Sequence, residues 1–378
     1  MIYPGATLGV LGGGQLGRMF TMAAHSMGYR VCVLDPDKES PAGTIAEHHL
    51  QSNYTDESAL LEMTRICSAV TTEFENVPAS TLEFLEKSIP VRPSAKAVSI
   101  ARDRILEKTF IRENGLPTAE FIPVYTEADC ISACNDIPLP ALLKTTQLGY
   151  DGKGQRTVNN INDAVDGFKI NGGVPCVLEQ KIQLNKEISV ILARNEKGEI
   201  AAYPIGENKH ENGILSTTVV PAHIDQKTEK QAISMATCLA EALHYCGVLA
   251  VEFFIATDGN LLINEIAPRP HNSGHYTLDA CVTDQFEQQV RMLCNLPPAS
   301  TQLLSPAVML NLLGDIWPNK GEPQWIAIYQ NKRAKLHLYG KNDARQGRKM
   351  GHINLLARDT ATALSEAERL QSELGIKN

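Results

Sequence analysis

The pattern of hydrophobic and polar positions at the start of the chain predicts a parallel β-sheet with flanking helices. Two short apolar runs, 7–11 and 30–34, enclose a stretch with helical spacing from about residue 16 to residue 27. A third apolar run lies in the segment SAVTTEFENVP, residues 68–78. Strands that alternate with helical segments are typical of βαβ units. We therefore expect an N-terminal Rossmann-like βαβ domain, and a change of pattern near Val98 indicates that it covers residues 1–97.

The middle of the chain has a different pattern, in which short strands are joined by hairpins. One long helix is expected from about Ser94 to Asn114, and residues 122–266 are strand-rich. In the segment GVLAVEFFIATDGNLLINEIAPRP, two apolar strands flank Asp258-Gly259, a strong signal for a two-residue turn. These patterns predict a second domain over residues 98–295 and a small C-terminal domain over residues 296–378.

Composition and charge narrow the class of protein. The 378 residues are 43% hydrophobic and 21% charged, which leaves room for two or three globular domains. The net charge of −8 argues against a general binder of nucleic acid or of anionic membranes. No apolar run reaches the length of a membrane span, and the nine cysteines are scattered without metal-ligand spacing. We therefore expect a cytoplasmic enzyme with reduced thiols, with neither nucleic acid nor a membrane as partner.

The turn after the first predicted strand carries a glycine fingerprint. Gly12, Gly14 and Gly17 satisfy G-x-G-x-x-G, and Asp35 follows the next strand where a ribose-binding acid is expected. One hypothesis is therefore an NAD(P)-dependent oxidoreductase. However, Glu73 follows the third predicted strand at the same edge of the sheet. A carboxylate there would repel a pyrophosphate and attract an amine or a ring nitrogen, so the turn alone leaves both interpretations open.

A pair of carboxylates indicates a metal site. With the turn centred on Asp258-Gly259, Glu252 and Glu265 lie equally far from it and face each other across the ladder. Such residues have Cβ atoms about 5 Å apart, and apolar surroundings make the repulsion more costly. Mg²⁺ commonly binds one or two carboxylates together with substrate phosphates, and it would relieve this repulsion. Asn264 is adjacent, but strand alternation predicts that it points to the other face.

The segment LGYDGKGQ, residues 148–155, has the composition of a phosphate-binding loop. Its three glycines let backbone N–H groups approach a polyphosphate, and Lys153 adds a positive charge. It follows the strand-like segment PALLK, which ends in Lys144. The chain has no G-x-x-x-x-G-K-[ST] motif, so the predicted triphosphate site lacks a Walker loop. A hairpin turn with a solvated lysine is the alternative interpretation.

Six motifs in order resemble the ATP-grasp superfamily and, within it, the 5-(carboxyamino)imidazole ribonucleotide synthases. They are LGGGQLGRM, TEFENVP, LGYDGKGQ, LEQKI, NEIAPRPHNSGHYTLDAC and GRKMGHI, and they cover essentially the whole chain. The resemblance implies an α/β and α+β architecture: an ATP-grasp fold with an N-terminal Rossmann-like βαβ domain and a small C-terminal β-rich domain. It also implies a homodimeric carbon-nitrogen ligase that uses ATP and bicarbonate to carboxylate 5-aminoimidazole ribonucleotide through carboxyphosphate in purine biosynthesis. Another ATP-grasp amine ligase is the alternative within the superfamily.

The resemblance also implies roles for individual residues. Mg²⁺, with Mn²⁺ as an alternative, is expected at Glu252 and Glu265. ATP contacts are expected from Arg104, Lys144, Gly149, Tyr150, Asp151, Gly152, Lys153, Gly154, Gln155, Glu179, Gln180, Lys181, Ile182, Glu187, His210, Asn264 and Glu265. Ribonucleotide contacts are expected from Gly14, Gln15, Glu73, Asn76, Arg156 and the basic residues Lys341, Arg345 and Arg348. The residues expected to act on the reacting groups are Lys153, Arg269, His271 and Asn272.

Overall fold

The computed structural model describes residues 1–147, 149, 154–317 and 321–376. The elements of its N-terminal domain are β1 (Thr7–Leu11), α1 (Gln15–Ser26), β2 (Arg30–Leu34), β3 (His48–Leu50), α2 (Glu57–Ile66), β4 (Ala69–Thr72) and α3 (Ala79–Glu86). The strands form a parallel sheet in the order β3-β2-β1-β4. The third strand predicted from the sequence corresponds to β4. The sequence analysis did not predict β3, because its sequence, HHL, has no apolar run that would indicate a strand.

The parallel sheet brings two distant turns to one edge. Leu11 at the end of β1 is paired with Thr72 at the end of β4, so Gly12 and Glu73 follow side by side. Gly12 has a φ of +101°, a left-handed conformation that favours glycine. The glycine turn and the segment after β4 therefore border the same crevice, outside the carboxyl ends of the strands.

The single helix predicted from about Ser94 to Asn114 is wrong, because the chain forms two helices here. They are α4 (Ala95–Arg102) and α5 (Arg104–Glu113), separated by Asp103 with an extended backbone. The Asp103 carboxylate accepts hydrogen bonds from the N–H groups of Ile105 and Leu106, at 2.9 and 3.2 Å. It therefore acts as the N-cap of α5 and satisfies N–H groups that a new helix leaves without partners.

A small antiparallel sheet follows the two helices. Its strands and the two helices packed on it are β5 (Phe121–Val124), α6 (Glu127–Asp136), β6 (Ala141–Thr145), β7 (Gln155–Val158), α7 (Ile161–Ile170) and β8 (Cys176–Gln180). The strand order is β5-β8-β6-β7. Lys144 on β6 is paired with Gln155 on β7. The segment between these strands contains Tyr150, Asp151, Gly152 and Lys153, which lie outside the described residues.

A large antiparallel sheet spans the rest of the middle region and continues into the C-terminal region. Its elements and their neighbours are β9 (Leu184–Arg194), β10 (Ile200–Ala202), β11 (Gly206–Glu211), β12 (Ile214–Val220), α8 (Gln226–Ala242), β13 (Gly247–Ala256), β14 (Leu261–Ala267), α9 (Thr277–Ala280), α10 (Gln285–Leu293), β15 (Ala307–Leu313), α11 (Trp325–Gln330), β16 (Ala334–Leu338), β17 (Lys349–Leu356) and α12 (Thr360–Leu374). The strand order is β14-β13-β9-β11-β12-β15-β17-β16, with β10 paired to β9. Because β12 pairs with β15, the C-terminal strands extend this sheet. The domain boundaries at residues 97/98 and 295/296 stay predictions.

The hairpin formed by β13 and β14 pairs Glu252 with Glu265, as predicted, but through a different register. Next to the turn, Phe253 faces Ile263, one position short of the symmetric pairing assumed from the sequence. A β-bulge at Asn264 then restores the pairing of the two glutamates. The predicted alternation does not hold at this point because a bulge interrupts it, and Asn264 borders the same cavity as Glu265.

Two further observations concern the cysteines and the length of the helices. The nine cysteines are free thiols. Within the described ranges, no helix combines the length and the apolar character that crossing a bilayer requires.

Candidate active site

A cavity of about 500 Å³ opens between the two antiparallel sheets and reaches the N-terminal domain. It is bordered by many of the residues that the sequence singled out. These are Asn76, Arg104, Lys144, Gly149, Gln155, Glu187, His210, Glu252, Asn264, Glu265, Arg269, His271 and Asn272. The cavity is thus lined by side chains from elements that are far apart in the chain.

The wall formed by the small sheet contains a buried ion-pair cluster. The Glu179 carboxylate on β8 contacts Lys144 Nζ at 2.8 Å and Lys108 Nζ at 3.0 Å. Burial alone would raise the pKa of Glu179, but the two ammonium groups hold it at about 2. Burial lowers the pKa of Lys144, and Glu179 opposes that change. Lys108 did not stand out in the sequence, since nothing in its spacing on α5 distinguishes it from a solvated lysine.

The start of α5 adds charged groups on the other side of the cavity. Arg104 Nη1 lies 3.4 Å from Glu265 Oε2, in a partly buried ion pair. Glu107, one turn later, accepts a hydrogen bond from the N–H of Ile266 at 2.5 Å. Burial and then the Glu265 carboxylate raise the pKa of Glu107 to about 8. The sequence analysis did not identify Glu107, although a carboxylate on the buried face of an amphipathic helix is a usable signal.

The two paired glutamates present carboxylate oxygens at the larger cavity. Burial and then repulsion from Glu265 raise the pKa of Glu252 to about 7, so an unshielded second negative charge is costly here. Asn264, displaced by the bulge, borders the cavity beside them. Within the described residues, no group of three or more His, Cys, Asp or Glu side chains could hold a metal ion. The carboxylate and amide oxygens present are hard donors of the kind that suits Mg²⁺, and substrate phosphate and water would have to complete its coordination.

A histidine and a glutamate pair at the rim of the same cavity. His210 Nδ1 on β11 forms an ion pair with Glu187 Oε2 on β9. Burial would lower the pKa of His210, but the carboxylates of Glu187 and Glu252 raise it above its ordinary value. Glu187 thus presents a carboxylate whose position is fixed by its neighbour, which suits a ligand with hydroxyl groups.

A second cavity of about 270 Å³ lies between the N-terminal domain and the C-terminal strands. It is bordered by Gly14, Gln15, Leu16, Glu73, Phe74, Arg269, His271, Asn272, Lys341 and Lys349. Five of these residues also border the larger cavity: Phe74, Arg269, His271, Asn272 and Lys349. The two cavities therefore meet at the segment after β14.

The glycine turn already holds a carboxylate. Glu73 accepts hydrogen bonds from the N–H groups of Gly14 and Gly17, the second at 2.7 Å. Asp35 Oδ2 accepts from the N–H of Gly13 at 2.7 Å and from the Tyr54 hydroxyl at 2.8 Å. These are the groups that would bind the pyrophosphate and ribose of a dinucleotide. This arrangement argues against the oxidoreductase hypothesis.

Arg269 is anchored by a residue of the N-terminal domain. Its Nε donates to Glu75 Oε2 at 2.6 Å, and its Nη1 donates to the carbonyl of Pro270 at 3.2 Å. Burial would raise the pKa of Glu75, but Arg269 holds it below its ordinary value. Glu75 was not identified from the sequence, although it lies in the motif TEFENVP. It fixes the guanidinium of Arg269 at the junction of the two cavities.

The predicted basic cluster of the C-terminal region is divided in the structure. Lys341 Nζ donates to Gln15 Oε1 at 2.5 Å and to the carbonyl of Lys349 at 2.7 Å. Both lysines border the smaller cavity. Arg345 pairs with Asp343 at 2.7 Å, and Arg348 donates to the carbonyl of Asp343 at 2.7 Å. Neither arginine borders the two cavities, and neither do Arg156, Gly154, Glu179, Gln180, Lys181 and Ile182. Their roles stay predictions.

Comparison with known proteins supplies the family context. Models of three families match the chain: the ribonucleotide synthetase preATP-grasp domain over residues 5–102, the ATP-grasp domain over 109–286, and the phosphoribosylaminoimidazole carboxylase C-terminal domain over 307–366. The chain is 41% identical to the N5-carboxyaminoimidazole ribonucleotide synthase of Bacillus subtilis (strain 168), over 94% of this chain and 93% of that protein. It is 42% identical to the protein of the same name from Brucella melitensis biotype 1, over 93% of this chain and 96% of that protein.

A solved structure is similar over nearly the whole chain. It is the N5-carboxyaminoimidazole synthase of Aspergillus clavatus in complex with ADP and 5-aminoimidazole ribonucleotide. The two folds have a TM-score of 0.91 at 30% sequence identity, and 98% of each chain is covered.

Proposed function

The chain belongs to the N5-carboxyaminoimidazole ribonucleotide synthases of the ATP-grasp superfamily, and we propose that it carboxylates 5-aminoimidazole ribonucleotide with ATP and bicarbonate in purine biosynthesis. One observation carries this proposal. A larger cavity with lysines, arginines and paired carboxylates joins a smaller cavity with two lysines and the half-buried Glu73, and Arg269 lies at the junction. ATP must phosphorylate bicarbonate in one site, and the resulting carboxyl group must then reach the amine of a ribonucleotide in the other, so the reaction requires two adjoining sites.

ATP occupies the larger cavity in this proposal. Lys144 lies near the phosphates, and Glu187 is suited to the ribose hydroxyl groups. Residues Glu179 to Ile182, at the end of the inner strand β8, are proposed to offer backbone groups to adenine. Mg²⁺ would be held by Glu252 and Glu265, with Asn264 beside them, and it would offset the negative charge of the phosphates. Mn²⁺ is the alternative ion.

The phosphoryl group of ATP passes to bicarbonate at the junction of the cavities and gives carboxyphosphate. The protein's contribution is electrostatic, because phosphoryl transfer needs fixed positive charge and alignment more than covalent chemistry. The Arg269 guanidinium is held by Glu75, so its remaining N–H groups are fixed before substrates arrive. His271 and Asn272 border both cavities at the same point. Lys153, which lies outside the described residues, is expected to add charge over the phosphates.

The ribonucleotide occupies the smaller cavity. Glu73 borders this cavity and is proposed to face the amine and ring, and Lys341, which also borders it, is proposed to hold the 5′-phosphate. Asn76 borders the larger cavity and Arg348 borders neither cavity, so their expected contacts with the ribonucleotide stay predictions. The amine then takes the carboxyl group from carboxyphosphate, or from carbon dioxide released from it, and phosphate leaves. Exclusion of water protects the reactive intermediate during this transfer.

The experiment that tests the function is an assay of phosphate release with each substrate omitted in turn. We expect full turnover only when ATP, bicarbonate and 5-aminoimidazole ribonucleotide are all present with Mg²⁺. Equal phosphate release without the ribonucleotide would contradict the proposal, and turnover with a different amine would indicate another ATP-grasp ligase. We further propose a cytoplasmic homodimer, following the family resemblance, and sedimentation velocity would test the dimer.

A further inference from the structure

Helix α10 carries three glutamines that are almost completely buried. Gln285, Gln288 and Gln289 have relative exposures of 0%, 0% and 1%. Glutamine is mostly exposed in proteins, and a buried carboxamide must find hydrogen-bond partners. Each of the three does so in a different part of the chain, since they bond to His271, Ala299 and Val248 respectively.

Gln285 binds both backbone groups of His271. Its Oε1 accepts from the N–H of His271 at 2.9 Å, and its Nε2 donates to the carbonyl of His271 at 2.8 Å. The same Nε2 lies 3.1 Å from His275 Nδ1. Gly274 passes so close that a Cβ there would lie 2.4 Å from Gln285 Oε1. The Gln285 side chain therefore forms the two backbone hydrogen bonds with His271 that a neighbouring β-strand would form.

The segment 271–275 carries the groups at the junction of the two cavities. His271 and Asn272 border both cavities, and His271 Nε2 lies 3.6 Å from Glu252 Oε1. The carboxamide N and O atoms of Asn272 are buried and have no hydrogen-bond partner among the described residues. The position of the Asn272 side chain thus depends on its backbone, and that backbone is held from α10.

We propose that Gln285 is a positioning residue, which fixes the backbone of residues 271–275 and through it directs His271 and Asn272 to the junction where the transferred group passes between substrates. The catalytic part of this inference rests on the proposed function. The structural part, that Gln285 secures the His271 backbone, does not.

Gln288 provides a matched control on the same helix. Its Oε1 accepts from the N–H of Ala299 at 3.1 Å, and its Nε2 donates to the carbonyl of Ala299 at 2.8 Å. The burial and the two-bond pattern are the same as for Gln285, but Ala299 borders neither cavity. A merely structural role would give the two positions the same kinetic effect.

The experiment compares Gln285→Met with Gln288→Met, since methionine keeps the length of the side chain and removes its hydrogen bonds. We expect both variants to lower the thermal unfolding temperature. Only Gln285→Met should lower kcat, by roughly 10–100-fold, the range found when a residue that orients a catalytic ligand is removed. The KM for ATP should stay within about threefold in both, because loss of a group that aligns the reaction need not weaken ground-state binding. Gln285→Glu keeps the acceptor for the His271 N–H and should have an intermediate kcat.

A second measurement does not depend on activity. Hydrogen exchange of the His271 amide should become faster in Gln285→Met, relative to wild type. It should stay slow in Gln285→Glu, which keeps the acceptor for this N–H, and in Gln288→Met. Equal exchange in all of these proteins, or equal kcat in the two methionine variants, would overturn the inference. If wild type and Gln288→Met both lack turnover while the exchange pattern holds, the proposed function fails and the positioning of the His271 backbone stands.

Discussion

At the scale of single residues, the carboxylates of the site differ in what neutralises them. Glu73 accepts from backbone N–H groups, Glu75 pairs with Arg269, and Glu179 contacts two lysines. Glu252 and Glu107 are different, because burial and the Glu265 carboxylate both act against their charges. A cation bound between Glu252 and Glu265 would therefore relieve the repulsion at this point of the site.

Replacing Glu265 with glutamine tests this assignment. Glu265→Gln should lower turnover at least as much as the roughly 10–100-fold loss that follows removal of an outer-shell metal partner. The fold should remain, because relief of a like-charge pair changes the free energy of unfolding by no more than about 1 kcal/mol. Steady-state kinetics over a range of Mg²⁺ concentrations and urea unfolding give the two quantities. Glu287→Gln, which alters a glutamate on α10 away from the cavities, is the control, and wild-type turnover in Glu265→Gln would contradict the metal site.

The phosphate of the ribonucleotide gives a second test at this scale. A charge-assisted contact contributes about 1.5–3 kcal/mol, so Lys341→Ala should raise the KM for the ribonucleotide roughly ten- to hundredfold. Arg348→Ala should have a smaller effect, since Arg348 donates to the carbonyl of Asp343 and does not border the cavity. The KM for ATP should change little in both variants. A parallel rise of the ATP constant in Lys341→Ala would assign that lysine to the larger cavity instead.

At the scale of elements, small interruptions of regular structure place the side chains. The Asp103 cap divides one helical segment into α4 and α5, and Arg104 follows the cap directly at the border of the cavity. The bulge at Asn264 brings Glu252 and Glu265 into register. Both features depend on a single polar residue within an otherwise periodic stretch.

Loss of the cap should therefore affect both stability and ATP binding. Asp103→Ala removes the acceptor for two helix N–H groups and should lower the free energy of unfolding by about 1 kcal/mol. It should also raise the KM for ATP several-fold, because Arg104 is no longer held at the first turn of α5. Urea unfolding and initial-rate kinetics measure the two effects. In the control Asp225→Ala, which removes the cap of α8 away from the cavities, the KM for ATP should not change.

These examples explain how far the sequence predicts the structure. The apolar runs of β1, β2 and β13 and the Asp-Gly turn predicted the strands and the facing of Glu252 and Glu265, because burial produces a periodic pattern. A bulge adds one residue to a strand, and a cap ends one helix and begins the next, but neither changes the pattern of apolar residues. The sequence analysis therefore predicted the wrong orientation for Asn264 and one helix in place of the two that meet at Asp103. Lys108 and Gln285 were missed because buried polar side chains that bond to distant backbone or charges resemble surface residues in the sequence. Only the pairing of distant segments distinguishes them.

At the scale of the whole molecule, histidines join the C-terminal strands to the segment behind the site. The rings of His275 and His337 each stack on His352 with centroids 4.6 Å apart. His337 pairs with Asp279 on α9 at 2.7 Å, and the Tyr339 hydroxyl contacts His352 Nδ1 at 2.9 Å. These contacts thus connect β16 and β17 to α9 and to residues 271–275, of which His271 and Asn272 border the smaller cavity.

The buried imidazoles predict a loss of stability in acid. Burial, with the neighbouring charges of His337, Lys349 and Arg269, lowers the pKa of His275 well below its ordinary value, and burial with the adjacent histidines does the same for His352. Only the unfolded chain then takes up these protons near pH 6.5, so the stabilisation is complete above that pH and is lost as the pH falls. Urea unfolding between pH 7.5 and pH 5 should show this decline.

The variant His352→Gln isolates one of these protons. Below about pH 6.5 its free energy of unfolding should fall less steeply than that of wild type, by up to about 1.4 kcal/mol per pH unit. His48→Gln, at an exposed position, should keep the wild-type slope. Equal slopes in His352→Gln and wild type would indicate that His352 is protonated in the folded protein.

The pairing of β12 with β15 has a consequence for how the chain can be divided. A protein ended after residue 306 would lose β15, β17 and β16, and β12 would become the outermost strand with a row of N–H and C=O groups open to other chains. Open edges of this kind are templates for intermolecular pairing. The truncated protein would therefore aggregate through β12. The C-terminal region is thus part of the large sheet and not an independent domain that only adds lysines to the site.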